Sequence, residues 1–259
     1  MKQKKEVLSL TNVGVSYSRF SKLFTKEKFW ALKDVSLKVY EGETLGVIGH
    51  NGAGKSTLLQ ILAGLISPDT GEYRNNGHTV TMLSLKVGFG PHLSGRENAI
   101  ISGMLLGMRY NEVKKEIGKI IAFSELAEFI DQPVRTYSTG MRARLGFAVA
   151  FYAKPDVLLI DEVLGVGDID FRQKSSEAMK EQLRSNRTVI LVSHNVEQIE
   201  ELCDRVIWME KGRTLAEGPP KLILAKYQDR INKNKGEIMK VNRKKKNRKI
   251  VPIDNNLLQ

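Results

Sequence analysis

One short stretch constrains this chain more than any other. Residues 49–57 read Gly-His-Asn-Gly-Ala-Gly-Lys-Ser-Thr and follow the pattern G-x-x-x-x-G-K-[ST]. The apolar run 44–48 before it is typical of a buried strand, and the run 56–63 after it is typical of a helix. Glycines in such a loop let successive backbone N–H groups face one side, where they cradle phosphate oxygens at the positive end of the helix. The pattern therefore predicts a nucleotide-phosphate site between a strand and a helix.

Every residue of this phosphate loop is a predicted nucleotide contact. The ammonium of Lys55 is expected to reach the β- and γ-phosphates, and the hydroxyl of Ser56 is expected to hold Mg²⁺. The full predicted set is Gly49, His50, Asn51, Gly52, Ala53, Gly54, Lys55, Ser56 and Thr57.

Two acids follow a second apolar run. Residues 157–160 read Val-Leu-Leu-Ile and are followed by Asp161 and Glu162. Parallel α/β sheets place ligand chemistry at the carboxyl ends of their strands, so both acids should lie near the phosphate loop. Asp161 is expected in the Mg²⁺ shell, and Glu162 is expected to orient or deprotonate the water that attacks the γ-phosphate.

Two further sites gain meaning from the phosphate loop. Ser138, Thr139, Gly140 and Met141 form the start of a predicted helix, where free N–H groups and hydroxyls can bind an anion or simply cap the helix. His194 follows a strand that ends at Val192 and can reach the same phosphates. We predict a functional role for both.

The rest of the chain alternates strands and helices. Strands are predicted at 6–13, 32–39, 188–192 and 205–209, and a helix-rich insertion runs from about 92 to 155. Within it, Ser94 and Glu97 have the spacing of a capping box. The basic and aromatic segment 18–30 has two interpretations, an amphipathic helix at a membrane surface or a solvated loop.

Charge and cysteine content narrow the surroundings of the chain. Its net charge is +12, but nine basic residues against Glu237 alone give residues 232–249 a charge of +8, which leaves +4 for the rest. We expect a body over 1–227 and a flexible tail over 228–259 that contacts anionic lipid, contacts nucleic acid or only aids solubility. One cysteine, Cys203, excludes an internal disulfide and is interpreted as packing. The sequence shows no signal peptide and no apolar run of about 18 residues, which predicts a cytosolic chain.

The order of these motifs resembles the ATP-binding-cassette ATPases over roughly residues 6–226. This resemblance implies an α/β fold: a P-loop NTPase core of the ABC type, an inserted helical subdomain and an N-terminal antiparallel β subdomain. It also implies ATP and Mg²⁺ as ligands, Glu162 and His194 as catalytic residues, and His194 as a γ-phosphate contact. Residues 138–141 become the signature that completes the site of the opposite subunit. The implied working unit is a head-to-tail homodimer with two ATP molecules.

Three segments narrow the resemblance further. Residues 88–98, 137–147 and 161–168 are similar to those of ATPase subunits of bacterial polysaccharide exporters. That likeness implies export of a lipid-linked O-antigen, capsule or teichoic-acid polymer through a separate permease, with the chain peripheral on the cytoplasmic face of the inner membrane. It also implies that segment 18–30 faces the membrane and that Asp168 lies in a loop communicating across the dimer.

Some positions depart from the family pattern. The signature carries Thr139, Gly140 and Met141 where two glycines and a glutamine are usual, and the usual linking glutamine falls near Ser84. The residue that stacks on adenine is expected to be Tyr17, with Phe29 or Trp30 as alternatives. Other hypotheses are an exporter of a drug or lipid, or a soluble cassette acting on nucleic acid or ribosomes. Soluble cassettes of that kind usually have two cassettes in one chain or a long coiled-coil insertion. This sequence shows neither, so no nucleic-acid partner is expected. Selectivity for one polymer is expected to lie in the permease and in the synthesis pathway.

Overall fold

The described residues form two β-sheets. The strands are antiparallel in the smaller sheet and mainly parallel in the larger one. The computed structural model describes residues 5–20, 26–83, 88–161, 166–185 and 187–233. Its elements, in chain order, are β1 (Glu6–Phe20), β2 (Lys26–Tyr40), β3 (Thr44–Ile48), α1 (Lys55–Leu62), β4 (Thr70–Asn75), β5 (Val80–Leu83), α2 (Gly95–Leu105), α3 (Tyr110–Ser124), a 3₁₀ turn (Val134–Thr136), α4 (Thr139–Tyr152), β6 (Val157–Asp161), α5 (Ile169–Leu183), β7 (Thr188–Val192), α6 (Val196–Leu202), β8 (Arg205–Glu210), β9 (Arg213–Gly218) and α7 (residues 220–233).

The larger sheet brings the predicted site together. Its strand order is β5-β6-β7-β3-β8-β9, and all neighbours are parallel except β8 and β9. Every residue of β3 and β7 is buried, because helices or the smaller sheet cover both faces. Since parallel strands end at one edge of the sheet, Asp161 at the end of β6 and the residues that follow β3 and β7 share that edge.

The smaller sheet, β2-β1-β4, is the predicted N-terminal antiparallel subdomain. Its apolar residues pack with α1 against one face of the larger sheet. The ladder between β1 and β2 continues outward through the pairs Ser18↔Lys28 and Phe20↔Lys26. Both interpretations of segment 18–30, an amphipathic helix and a solvated loop, are therefore wrong for the described residues 18–20 and 26–30. These residues form strands because they continue the β1–β2 hydrogen-bond ladder, whose register is fixed by the buried pairs nearer the core. Residues 21–25 lie outside the described ranges.

The helical insertion lies between β5 and β6 and has its own apolar core. The capping box at its start is confirmed, since the Ser94 side chain accepts a hydrogen bond from the Glu97 N–H and the Glu97 carboxylate accepts one from the Ser94 N–H. Buried Asn98 then ties the preceding loop to α2 by bonding both backbone groups of Gly90 and the carbonyl of Leu93. The loop at 90–94 is thus fixed to the first turn of α2.

The last described helix, α7, reaches past the predicted domain boundary. It runs from 220 to 233, so residue 228 falls within it. Ile223, Leu224 and Ile231 pack on the core, and Arg230 forms an ion pair with Glu210 at 3.6 Å. The body therefore includes helical residues up to at least 233, and a tail beyond them stays a prediction. Among the described helices, none has both the length and the apolar composition that crossing a bilayer requires.

Cys203 is expected to be nearly unreactive in the folded protein. Burial raises the pKa of its thiol to about 12, and its sulfur lies against Gly46, where an added Cβ would be 2.9 Å from Sγ. Because the thiolate is the reactive form, reaction with a disulfide reagent at pH 8 should be about a thousandfold slower than for an exposed thiol. The rate of this reaction, followed by absorbance with and without denaturant, tests the prediction. Fast reaction of the native chain would contradict the packing interpretation.

Candidate functional site

The phosphate loop has the backbone that its glycines predict. Gly49, Gly52 and Gly54 have φ values of 153°, 79° and 102°, which residues with a side chain rarely adopt. A Cβ on Gly49 would lie 2.3 Å from the Met209 carbonyl oxygen, and one on Gly54 would lie 2.6 Å from that of Ala31. The loop is therefore pressed against β8 on one side and β2 on the other, and its first and last glycines cannot be replaced without displacing backbone.

Lys55 is held over this loop. It begins α1, is 6% exposed, and its Nζ donates hydrogen bonds to the carbonyls of Gly49 at 2.8 Å and His50 at 3.2 Å. The first N–H groups of α1 have no acceptor within the helix, so they and the ammonium supply positive charge at one point. This arrangement suits phosphate oxygens.

Ser56 and Asp161 form an oxygen pair beside the loop. The Ser56 hydroxyl donates to Asp161 Oδ2 at 3.4 Å, because β6 ends where α1 begins. Oxygens bound side by side to Mg²⁺ lie about 3 Å apart, so this pair fits the ion. Within the described ranges no cluster of three or more His, Cys, Asp or Glu residues could hold a metal. Glu162 lies outside the described residues.

His194 lies at the same edge, directly after β7 and Ser193. It lines a cleft of about 460 Å³ together with His50, Asn51 and Tyr227. The loop around it is fixed, since the Ser193 hydroxyl accepts from the Asn195 N–H at 3.0 Å and Asn195 caps α6. The prediction that His194 comes near the phosphate loop agrees with this geometry, while Tyr227 was not singled out by any motif.

A second cleft lies on the other side of the loop. It has a volume of about 360 Å³ and its walls are Tyr17, Phe29, Ala31 and several loop residues from Asn51 to Thr57. Tyr17 and Phe29 are cross-strand partners in the β1–β2 ladder and are 45% and 58% exposed. Both rings are thus placed beside the phosphate loop. Trp30, the third candidate, does not line this cleft.

The signature residues lie elsewhere in the chain. Ser138 caps α4, with its Oγ accepting from the Met141 N–H at 3.1 Å. Neither cleft at the phosphate loop has a described residue from 138–141 in its walls, whereas Thr139 lines a separate cleft of about 550 Å³. Its other walls are Gly88, Phe89, Pro91, Val134, Arg135, Arg142 and Ala143. Ser84 lies outside the described residues.

An ionic cluster joins α4 to the start of α5. Arg144 forms ion pairs with Glu125 at 3.0 Å and with Asp168, and Lys174 pairs with Glu125 at 2.7 Å. Asp168 also caps α5 by accepting from the Phe171 N–H. That bond and the Arg144 guanidinium lower the pKa of the Asp168 carboxyl, so it stays ionised at neutral pH. No motif predicted the role of Arg144.

Taken together, these features define a P-loop nucleotide-binding protein of the α/β class. A family model described as "ABC transporter" matches residues 32–165. The chain belongs to this family, as predicted.

Relatives narrow the family. The chain is 45% identical over 210 residues to the O-antigen export system ATP-binding protein RfbB of Klebsiella pneumoniae, covering 81% of this chain and 85% of that protein. It is 44% identical to the protein of the same name from Myxococcus xanthus, covering 85% of this chain. It is 48% identical to the teichoic acids export ATP-binding protein TagH of Enterococcus faecalis, covering 77% of this chain. The chain spans only 49% and 44% of the latter two. The predicted likeness to exporter ATP-binding subunits is confirmed.

Solved structures agree on the fold. An ATP-binding subunit of an ABC transporter superposes with a TM-score of 0.68 at 21% identity, covering 86% of this chain and 93% of that one. A dimeric ATP-binding cassette bound to ADP and Pi gives 0.65 at 23% identity, covering 82% and 98%. The predicted fold class is confirmed.

Proposed function

We propose that this chain is the ATP-hydrolysing subunit of an exporter that moves a lipid-linked polysaccharide across the cytoplasmic membrane through a separate permease. The chain would work at the cytoplasmic face of that membrane. The observation that carries the hydrolytic part is the Ser56–Asp161 oxygen pair beside the Lys55 loop. The transport part is supported by the relatives named for O-antigen and teichoic-acid export.

The residues around the loop divide the chemistry. The backbone of 49–54 and the Lys55 ammonium bind the phosphates, with Lys55 exchanging its carbonyl partners for phosphate oxygens. Ser56 and Asp161 would hold Mg²⁺, which when bound would offset phosphate charge. Glu162 follows Asp161 directly and would orient the attacking water. His194, from the opposite wall of the cleft, would contact the γ-phosphate.

The adenine is expected in the cleft beside the smaller sheet. Tyr17 is proposed as the stacking ring, since it lines this cleft with Asn51–Thr57 behind it. Phe29 stays an alternative because its ring lines the same cleft and is the more exposed of the two. Trp30 is disfavoured by its place outside the cleft walls.

The signature points to a second copy of the chain. Gly140 lies in the first turn of α4, where glycine costs about 1 kcal/mol relative to alanine. Within the described chain an added Cβ would meet only Ser138 Oγ, at 3.7 Å. Packing within the described chain therefore does not demand a glycine, whereas close approach of a second molecule would. We propose that this second molecule is the nucleotide on the partner subunit of a head-to-tail homodimer, with Ser138, Thr139 and Met141 alongside.

The cleft of about 550 Å³ is the proposed seat of the permease. It is bounded by the loop at 88–91 and by α4, whose first turn carries the signature. A permease segment there would contact the same helix that closes on the nucleotide, which is how hydrolysis could move it. Contact of the basic tail with anionic lipid, at about 1 kcal/mol per basic residue, would add to this attachment.

Coexpression with a candidate polysaccharide permease from the same organism tests the proposal. We expect both proteins to copurify from detergent, and ATP turnover in vesicles to depend on Mg²⁺ and to cease when EDTA removes it. Vesicles loaded with the lipid-linked glycan of the same organism should accumulate it on the far side only with ATP. Copurification of RNA without a permease would instead favour the nucleic-acid hypothesis, and transport of a drug or lipid alone would favour another export substrate.

A further inference from the structure

The C-terminal helix α7 touches the phosphate loop through one aromatic contact. The ring of Tyr227 lies 5.7 Å from the ring of His50, at an interplanar angle of 48°. Tyr227 is 9% exposed, whereas His50 lies on the exposed side of the loop. The histidine therefore has a buried, ordered ring as a neighbour, although the two residues are far apart in sequence.

Tyr227 itself rests on the strand beneath the loop. Its ring meets that of Trp208 edge-on at 5.5 Å. Trp208 belongs to β8 and pairs with Ile48, the last residue of β3 before the loop. Because Gly49 is pressed on the neighbouring Met209 carbonyl, the first half of the loop is supported by β8 from below and by Tyr227 from the side.

The helix that carries Tyr227 is firmly attached on both sides of it. Ile223 and Leu224 are 1% and 3% exposed, one turn before Tyr227. Arg230 pairs with Glu210 at the end of β8, one turn after it. The described contacts of α7 with the core therefore set the position of the Tyr227 ring.

Tyr227 also forms a wall of the cleft that holds His194. This cleft, of about 460 Å³, lies between the phosphate loop and the loop after β7. If His50 were free to turn, it could occupy this space, and the backbone of Gly49–Asn51 could shift with it. A fixed ring beside His50 limits both movements.

We propose that Tyr227 is a positioning residue for the nucleotide site, which acts by holding His50 and thereby the first half of the phosphate loop. This inference rests on the proposed function in that it assumes ATP at this loop. Helix α7 then belongs to the nucleotide site, while the basic residues that follow it do not. An aromatic pair of this kind shifts an equilibrium roughly 2- to 12-fold, which sets the size of the expected effect.

Equilibrium binding of ATP with Mg²⁺ to the full chain tests the inference without requiring transport. Tyr227→Leu, which keeps an apolar contact to Trp208, should weaken binding by roughly 2- to 12-fold and raise KM by the same factor with kcat little changed. Tyr227→Phe should restore wild-type binding because it keeps the ring. His50→Ala should weaken binding equally, and the double variant should lose no more than either single one.

Two controls separate positioning from general damage. Ile120→Ala creates a cavity in the core of the helical insertion, away from α7 and His50, so it should lower the melting temperature while ATP affinity stays unchanged. Deletion of residues 234–259 should also leave ATP affinity unchanged. Equal ATP affinity of wild type and Tyr227→Leu would overturn the inference, as would an Ile120→Ala effect as large as that of Tyr227→Leu. If the wild-type chain bound no ATP, the proposed function itself would fail.

Discussion

Glu162→Gln is expected to lower ATP turnover by about 10²- to 10⁴-fold while ATP still binds. Glutamine keeps the size of the side chain but cannot accept the proton of the attacking water. Lys55, Ser56 and Asp161 are unchanged, so the phosphates and Mg²⁺ should be held as before. Because ATP would persist, the variant should accumulate as an ATP-bound dimer. Phosphate release in a single turnover and gel filtration with ATP measure the two effects.

Glu128→Gln provides the matched control for this change. Glu128 is an exposed carboxylate in the helical insertion, away from the described clefts. Its replacement should leave both turnover and elution volume at wild-type values. Unchanged turnover in Glu162→Gln would remove Glu162 from the catalytic role and direct attention to another base.

Lys55→Ala is expected to abolish measurable ATP binding at micromolar nucleotide and to reduce turnover by at least about 10²-fold. The variant loses a buried positive charge that lies at the centre of the loop, 2.8 Å from the Gly49 carbonyl. Titration of a fluorescent ATP analogue measures binding, and phosphate release measures turnover.

Lys5→Ala is the corresponding control, since Lys5 is an exposed lysine paired with Glu41 at 3.6 Å. It should bind ATP as the wild type does. Because Lys55 also bonds two loop carbonyls, thermal melting must show that Lys55→Ala is folded. Normal ATP affinity in a folded Lys55→Ala protein would mean that this loop does not bind the phosphates.

Much of the candidate site follows from sequence because of how parallel sheets are built. The loop after β3, Asp161 and His194 each follow a continuous apolar run, and such runs become neighbouring strands that end at one edge. None of the sequence motifs predicted that Tyr227 lines the cleft next to His194. That residue lies in a helix whose sequence becomes polar and basic, and it meets His50 only through the packing of α7 on β8.

The β1–β2 hairpin shows a second limit of sequence reasoning. Segment 18–30 has basic and aromatic residues without a clear period, and composition alone left a helix or a loop as the two interpretations. The described residues of this segment are strands because they extend the β1–β2 ladder beyond its buried pairs, and composition does not reveal that pairing. Residues 138–141 show a third limit, because their predicted partner lies in another copy of the chain.

The buried position of Cys203 simplifies site-specific labelling of this protein. Since the sole native thiol is shielded, a single cysteine introduced at an exposed site can carry a fluorophore or spin label without first removing Cys203. Ile169, 84% exposed at the start of α5, is one such site. Distances between two labels of this kind, one in each copy, would report the opening and closing of a dimer in real time with an otherwise native chain.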